Sequence, residues 1–351
     1  MSDDLYERLR QFLDTFPGGF PATPTGVEIR ILKKLFSPAD AELFLKLRKE
    51  PEDLASIAAR LGRPEAELGK ELEDMARRGL VFRTRVEGRT RYQAYQFFVG
   101  IIEAQINRVD LELTQLVEEY FPFLGAVGLS LQTKQMRVIP AEKSLETGTT
   151  VAPYHFMRNL VRDEDLVAVA PCICRQMAET KGNRCEHTLE TCLSFGDLAQ
   201  FYLDNGVARR ISKEELLGLL DKVEQEGLVL CTSNTQDLSV VCCCCKCCCG
   251  IVNGVRLLPE SSLMVNIFYQ SRIDGDLCSA CGVCFERCPV GAITESDGAF
   301  QVLSEKCIGC GLCASSCPTG AISLAEVAGA KPPFKDHQEL KTRVLMERGL
   351  L

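Results

Sequence analysis

The chain has 351 residues, 48 acidic and 40 basic side chains for a formal net charge of −8, no tryptophan and 20 cysteines. Such a length accommodates two or three domains with cores of their own, and a mild acidic excess argues against bulk attraction to nucleic acid or an anionic membrane. The first residues show no basic stretch leading into an apolar one, and no apolar run approaches the roughly 18 residues of a membrane span, so neither a signal peptide nor a span is expected. Abundant cysteine in an unexported chain indicates metal ligands in a reducing compartment instead of disulfides, which predicts a cytoplasmic protein of anaerobic metabolism.

Leu5, Leu9, Phe12, Leu13 and Phe16 recur at helical spacing until Pro17, two glycines and Pro21 interrupt them. Residues 27–36 predict a second helix, and Ser37-Pro38-Ala39-Asp40 supplies the cap, first-turn proline and acidic residue that open a third. Residues 52–61 and 64–79 then predict two short helices. Two alternating strands follow, 80–86 and 89–95, around a Glu87-Gly88 turn. Helix, turn, helix and β-ribbon in this order resembles the winged-helix module. Its ribbon carries Arg83, Arg85, Arg89 and Arg91, but the helix that would enter a DNA groove carries Glu65, Glu67, Glu71, Glu73 and Asp74. Phosphates repel such a face, so nucleic acid is not an expected partner. The arginines are expected on a solvated face or against an acidic partner. From Val99 to Tyr120 an apolar stripe (Val99, Ile102, Ile106, Val109, Leu113, Leu116, Tyr120) predicts one long connecting helix, with a homodimer seam as the sharper alternative.

In the middle of the chain, residues 135–139 read as a strand, 154–161 as a helix and 166–170 as a buried strand that delivers Pro171-Cys172-Ile173-Cys174-Arg175. Cys185 and Cys192 follow. Helices over 196–205 and 213–226 and a strand over 227–230 lead to a string in which seven of eight positions are cysteine: Cys242, Cys243, Cys244, Cys245, Lys246, Cys247, Cys248, Cys249. One cubane has four corners and neighbouring side chains are expected to diverge, so the string cannot serve a single cluster. The ligand candidates are Cys172, Cys174, Cys185, Cys192, Cys242, Cys244, Cys245, Cys247, Cys248 and Cys249, enough for one or two further clusters. One partition gives a cubane to Cys172, Cys174, Cys185 and Cys192 and a second site to the string; a mixed partition is equally allowed. A zinc or non-cubane site in the string is a third option. Arg175 and Lys246 would bring cations to anionic clusters, His187 is an alternative ligand, and Cys231 reads as a buried hydrophobe.

The last cysteines run Cys278-x₂-Cys281-x₂-Cys284-x₃-Cys288-Pro289 and Cys307-x₂-Cys310-x₂-Cys313-x₃-Cys317-Pro318, and the halves repeat further in Gly282 with Gly311 and in Gly291-Ala292-Ile293 with Gly320-Ala321-Ile322. This stretch resembles the bacterial two-cluster ferredoxins. The resemblance implies a first [4Fe–4S] cluster on Cys278, Cys281, Cys284 and Cys317 and a second on Cys307, Cys310, Cys313 and Cys288, each half completing the other's site. Ile273, Val283, Ile293, Ile308 and Ile322 would form the apolar shell. Residues 328–333 read as a linker, and 336–351 as a charged terminal helix that docks on the body or on a partner.

The whole chain is similar to multidomain 4Fe–4S binding proteins of anaerobes that join a winged-helix start, a P-C-x-C-R segment, a cysteine string and a ferredoxin end; Cys243 stands where that family's string has a polar residue. The expected fold is α+β and multidomain. Its parts are a helical and winged-helix domain (1–97), a connecting helix (98–122), an α/β cysteine-rich domain (123–265), a two-cluster ferredoxin-like domain (266–326) and a linker with terminal helix (327–351). No phosphate-binding glycine loop or nucleotide fingerprint is present, and three histidines leave little general acid–base chemistry. The expected role is therefore single-electron transfer to or from an oxidoreductase partner. A redox-sensing winged-helix regulator and an enzyme with an open central metal site are the alternatives.

Overall fold

The computed structural model describes residues 2–145, 156–162, 164–296 and 298–351. In the first third, α1 (Ser2–Asp14), α2 (Val27–Leu35) and α3 (Pro38–Phe44) bring Leu9, Leu13, Ile31 and Phe44 into one core. Ser37 caps α3 as expected: its hydroxyl accepts from the Asp40 N–H at 3.2 Å, and the Asp40 carboxylate accepts from the Ser37 N–H at 2.9 Å. After β1 (Glu52–Asp53) come α4 (Leu54–Leu61), α5 (Glu65–Arg77) and the hairpin β2 (Val81–Val86) and β3 (Arg89–Ala94), in a sheet of order β1-β3-β2. Glu87 and Gly88 both take positive φ, 51° and 76°, the requirement of a type I′ hairpin turn.

Of the hairpin arginines, Arg85 and Arg89 are exposed as expected, whereas Arg83 is not on a solvated face. Arg83 is 2% exposed and pairs with Glu73 at 2.5 Å and Asp204 at 3.2 Å. Arg85 also reaches Asp204, at 3.2 Å, and Arg91 reaches Asp53 at 3.1 Å. The acidic groups they meet belong to the chain itself, because the hairpin lies against the central region with the Phe82 and Phe201 rings 4.8 Å apart.

The single helix expected from Val99 to Tyr120 is broken. Residues Phe97–Ile101 form an irregular turn with Val99 at φ 46°, Glu103–Gln105 is a short 3₁₀ turn, and the long helix α6 starts only at Leu111 and ends at Ser130. Gly100 and the Asp110 cap explain the break: the Asp110 carboxylate accepts from the Leu113 N–H at 2.8 Å, which fixes a helix start where the apolar stripe gives no signal. Ile102, Ile106, Leu113, Leu116 and Tyr120 of the stripe are buried in the chain's own core, and Val99 and Val109 are partly buried against it.

The central region is one mixed sheet of order β10-β4-β8-β9-β6-β5-β7, antiparallel except for β10 with β4. Its elements are β4 (Met136–Ile139), α7 (Met157–Leu160), β5 (Val167–Pro171), α8 (Ile173–Thr180), β6 (Glu190–Phe195), α9 (Gly196–Asp204), β7 (Arg209–Arg210), α10 (Lys213–Gln225), β8 (Val229–Ser233), β9 (Val240–Cys244), α11 (Gly250–Leu257) and β10 (Val265–Asn266). Part of the helix expected over 154–161 lies outside the described residues; the described part is α7.

In the last region, β11 (Tyr269–Ile273) pairs antiparallel with β14 (Ile322–Glu326) and encloses α12 (Val283–Arg287), the hairpin β12 (Ile293–Ser296) with β13 (Ala299–Val302), and α13 (Leu312–Ser315). The terminal helix α14 (His337–Glu347) docks on the body: Leu340 and Val344 pack with Leu131, and the neighbouring Arg348 meets Asp14 at 2.9 Å. Among the described residues no helix is long and apolar enough to cross a membrane.

Candidate metal centres

Successive side chains of a strand point to opposite faces, and that alternation divides the cysteine string. Along β9, Cys242 and Cys244 turn to one side and Cys243 to the other, followed by Cys245 just past the strand's end. Cys192 on β6 and Cys231 on β8 flank Cys242 as its cross-strand neighbours, on the side of Cys242 and Cys244. Cys243 and Cys245 pack instead with Cys185 and Cys248.

The first side gathers thiols from three segments. Cys174 contacts Cys172 and Cys249, Cys249 contacts Cys244, and Cys244 contacts Cys231. Two helices begin here, because Cys172 is the N-cap of α8 and Cys249 the N-cap of α11. First-turn N–H groups face the sulfurs, Arg175 toward Cys172, Gly250 toward Cys174 and Val252 toward Cys249, and favour negative charge as the positive ends of helix dipoles do. Gly250 admits the Phe121 ring, which would lie 2.5 Å from a Cβ at that position. Contact with Cys174 and then burial hold the Cys172 thiol far above the ordinary range; burial does the same for Cys192 and Cys242. Crowded, buried thiols of this kind become thiolates when a metal cation is bound among them.

On the second side, Cys185, Cys245, Cys247 and Cys248 bring their sulfurs within 4.8 Å of one another. Cys185 Sγ stands 3.5 Å from Cys247 Sγ, and Cys247 Sγ 3.6 Å from Cys248 Sγ. Adjacent cysteines thus converge where divergence is expected, because residues 246–248 form a turn and not a strand. Burial opposes ionisation of Cys245, but the Cys247 thiol, the Cys248 N–H and the Arg175 guanidinium outweigh it and bring the thiol down to about 7. Arg175 is 2% exposed, donates to the Thr191 hydroxyl at 2.5 Å and the Cys243 carbonyl at 2.9 Å, and interacts with Cys172, Cys245 and Cys185. Lys246 lies outside, donating to the Glu286 carbonyl at 3.0 Å. His187 stands 3.6 Å from the Glu226 carboxylate and not among these sulfurs.

The last region has two cavities. One is lined by Cys278, Cys281, Cys284 and Cys317 with Val283 and Ile322; the other by Cys288, Cys307, Cys310 and Cys313 with Ile293 and Ile308. Each set draws three cysteines from one repeat and one from the other, since α12 and α13 carry Cys288 and Cys317 away from their own loops. Gly282 and Gly311, at φ 75° and 71°, make the left-handed turn into these helices. Backbone and hydroxyl donors are aimed at the sulfurs: Ala292 N–H to Cys288 at 3.1 Å, Ser271 N–H to Cys307 at 3.4 Å, and Ser271 Oγ 3.1 Å from Cys313. Burial pushes Cys313 up to about 12. Four sulfur donors in an apolar wall, with no carboxylate or imidazole in either lining, fit a [4Fe–4S] cluster better than any hard cation.

Residues 270–324 match the family model of the 4Fe-4S dicluster domain. The C-terminal region is thus similar to such domains, and the matched span runs through all eight cysteines of the two cavities. No curated protein matches the chain.

In the middle of the chain neither segment forms a site alone: Cys172 and Cys174 meet Cys244 and Cys249, whereas Cys185 meets Cys245, Cys247 and Cys248. The arrangement is mixed, and Cys192 lines the first group without joining the second. Cys231 is buried in an apolar cluster, as its place on a strand suggested. It contacts Cys244 and shares an apolar cluster with Cys249, Cys307 and Cys310, and so links the central thiols to a C-terminal cavity. Only its pairing with the string across β8 and β9 gives this away, and no spacing motif records it.

Proposed function

We propose that the protein is an iron–sulfur electron carrier with two [4Fe–4S] clusters in the C-terminal cavities and one in the nest of Cys172, Cys174, Cys244 and Cys249. Each bound cluster would take up and release a single electron. The observation that carries the proposal is the continuity of thiol-lined sites. Cys284 and Cys313 share one apolar cluster between the two cavities, and Cys307 and Cys310 share another with Cys231, Cys244 and Cys249. The chain's part is to hold these sites in a row, dry, with N–H donors on the thiolates that set their potentials.

An oxidoreductase partner would dock at the Cys278 end. Cys281 is exposed there, and Leu277, Val283 and Phe285 present apolar surface to solvent. Residues 54–94 have the element order of a winged-helix module. We assign it a scaffolding role, which the ion pairs of Arg83, Arg85 and Arg91 within the chain support; the regulator alternative gains no such support. Protein purified without oxygen is expected to carry roughly twelve irons and twelve acid-labile sulfides in clusters and to give reduced-cluster EPR signals with dithionite. Zinc without sulfide would overturn the proposal.

A further inference from the structure

We propose that Cys185, Cys245, Cys247 and Cys248 hold a single tetrahedrally coordinated ion of the zinc or iron(II) class, and not a cubane. The inference rests on the proposal above that the chain's cysteines are metal ligands, and it adds a site of a different kind. The distances decide it. Four thiolates on one ion, with metal–sulfur bonds of about 2.3 Å, stand roughly 3.8 Å apart. Here the Cys185–Cys247 and Cys247–Cys248 separations are 3.5 and 3.6 Å, and all four sulfurs lie within 4.8 Å. The four thiolates of a cubane each bind a different iron, so the metal–metal edge is added to their spacing. All four sulfurs of this set close on one another at once, as the ligands of one ion do; along Cys172, Cys174, Cys249 and Cys244 only successive thiols touch, and that set as a whole does not close to this span. Among the described residues no other set of three or more cysteine, histidine or acidic ligand atoms closes to this span.

The surroundings suit such a complex. The turn that brings Cys247 and Cys248 together also points the Cys248 N–H at Cys245 Sγ, 3.4 Å away, the kind of donor that steadies a metal-bound thiolate. Four thiolates around a divalent ion leave an excess of negative charge. The buried Arg175 answers it beside Cys245, and its Nε has no hydrogen-bond partner among the described residues. Cys247 is exposed, which gives an ion a way in from solvent.

The test compares the full-length protein, purified without oxygen, with Cys247→Ser and Cys174→Ser, by elemental analysis and acid-labile sulfide. Cys247→Ser is expected to lose about one metal ion per chain and no sulfide. Cys174→Ser is expected to lose about four irons and four sulfides and to keep that ion. Whether the ion lost is zinc or iron identifies the occupant. Protein from cobalt-supplemented medium should show tetrahedral cobalt–thiolate absorption, absent in Cys247→Ser. Loss of about four sulfides on Cys247→Ser, or loss of no metal at all, would overturn the single-ion site. Absence of sulfide from the wild type would instead overturn the electron-carrier proposal. Retained EPR signals of the C-terminal clusters show that each variant has folded.

Discussion

Gly309 and Gly311 leave almost no space around Cys310. A Cβ on Gly309 would stand 2.2 Å from the Tyr269 carbonyl oxygen, and one on Gly311 2.1 Å from Ser144 Oγ, with φ at 67° and 71°. Gly309→Ala therefore meets rigid backbone in a left-handed conformation. We expect it to destabilise the protein by about 2–4 kcal/mol, seen as a lower thermal midpoint together with bleaching of the visible absorption. Glu103 gives a pH signature. Burial pushes its carboxyl up to about 7, although it accepts the Gly100 N–H at 2.6 Å. Below the unfolded value near 4.5 both folded and unfolded chains hold the proton; between there and about 7 only the folded chain does. Stability contributed by this group thus falls as pH rises through that window, by roughly 3 kcal/mol in all. Glu103→Gln should flatten the fall and raise the urea midpoint at pH 8 relative to wild type, with little difference at pH 4.

At the scale of elements, β9 makes the sharpest prediction. Cys243 and Cys244 are neighbours of like burial on opposite faces. Cys243→Val should keep the full iron content at a cost within about 1 kcal/mol, whereas Cys244→Val should lose about four irons. The ferredoxin-like repeats were legible in the sequence because their loop spacings are local and each cysteine's place is set within a few residues. The string was not. A strand betrays its period through alternating polarity, and a run made only of cysteine has none to show. The start of β9 and the turn at 246–248 decide which thiols meet, and both are fixed by pairing with β6 and β8, far away in sequence. Long-range pairing also hid the contact of Cys231 with Cys244. The break before α6 was missed for a different reason: residues on both sides of it are apolar at helical spacing, and only the Asp110 cap and Gly100 separate them.

Across the whole molecule, the hairpin and the central sheet are joined by Arg83, whose buried guanidinium serves Glu73, Asp204 and Asn205 at once. Arg83→Ala would leave Glu73 to Arg77 and Asp204 to Arg85 but remove the buried group that joins them, so we expect a loss of about 2 kcal/mol. Earlier proteolytic release of the N-terminal third should accompany it. The thiol sites, too, are built from parts far apart along the chain. In the proposed ligand sets, Cys172, Cys174 and Cys185 take partners at 244–249, and Cys278, Cys281 and Cys284 take Cys317. On the proposed ligand sets, a nascent polypeptide displays half-built sites until residue 249 has emerged for the central thiols and Cys317 for the cavity of Cys278, Cys281 and Cys284. Delivery of a cofactor to that cavity would have to wait for Cys317, and a message cut short before it would yield unpaired thiols exposed to whatever oxidant the cell contains.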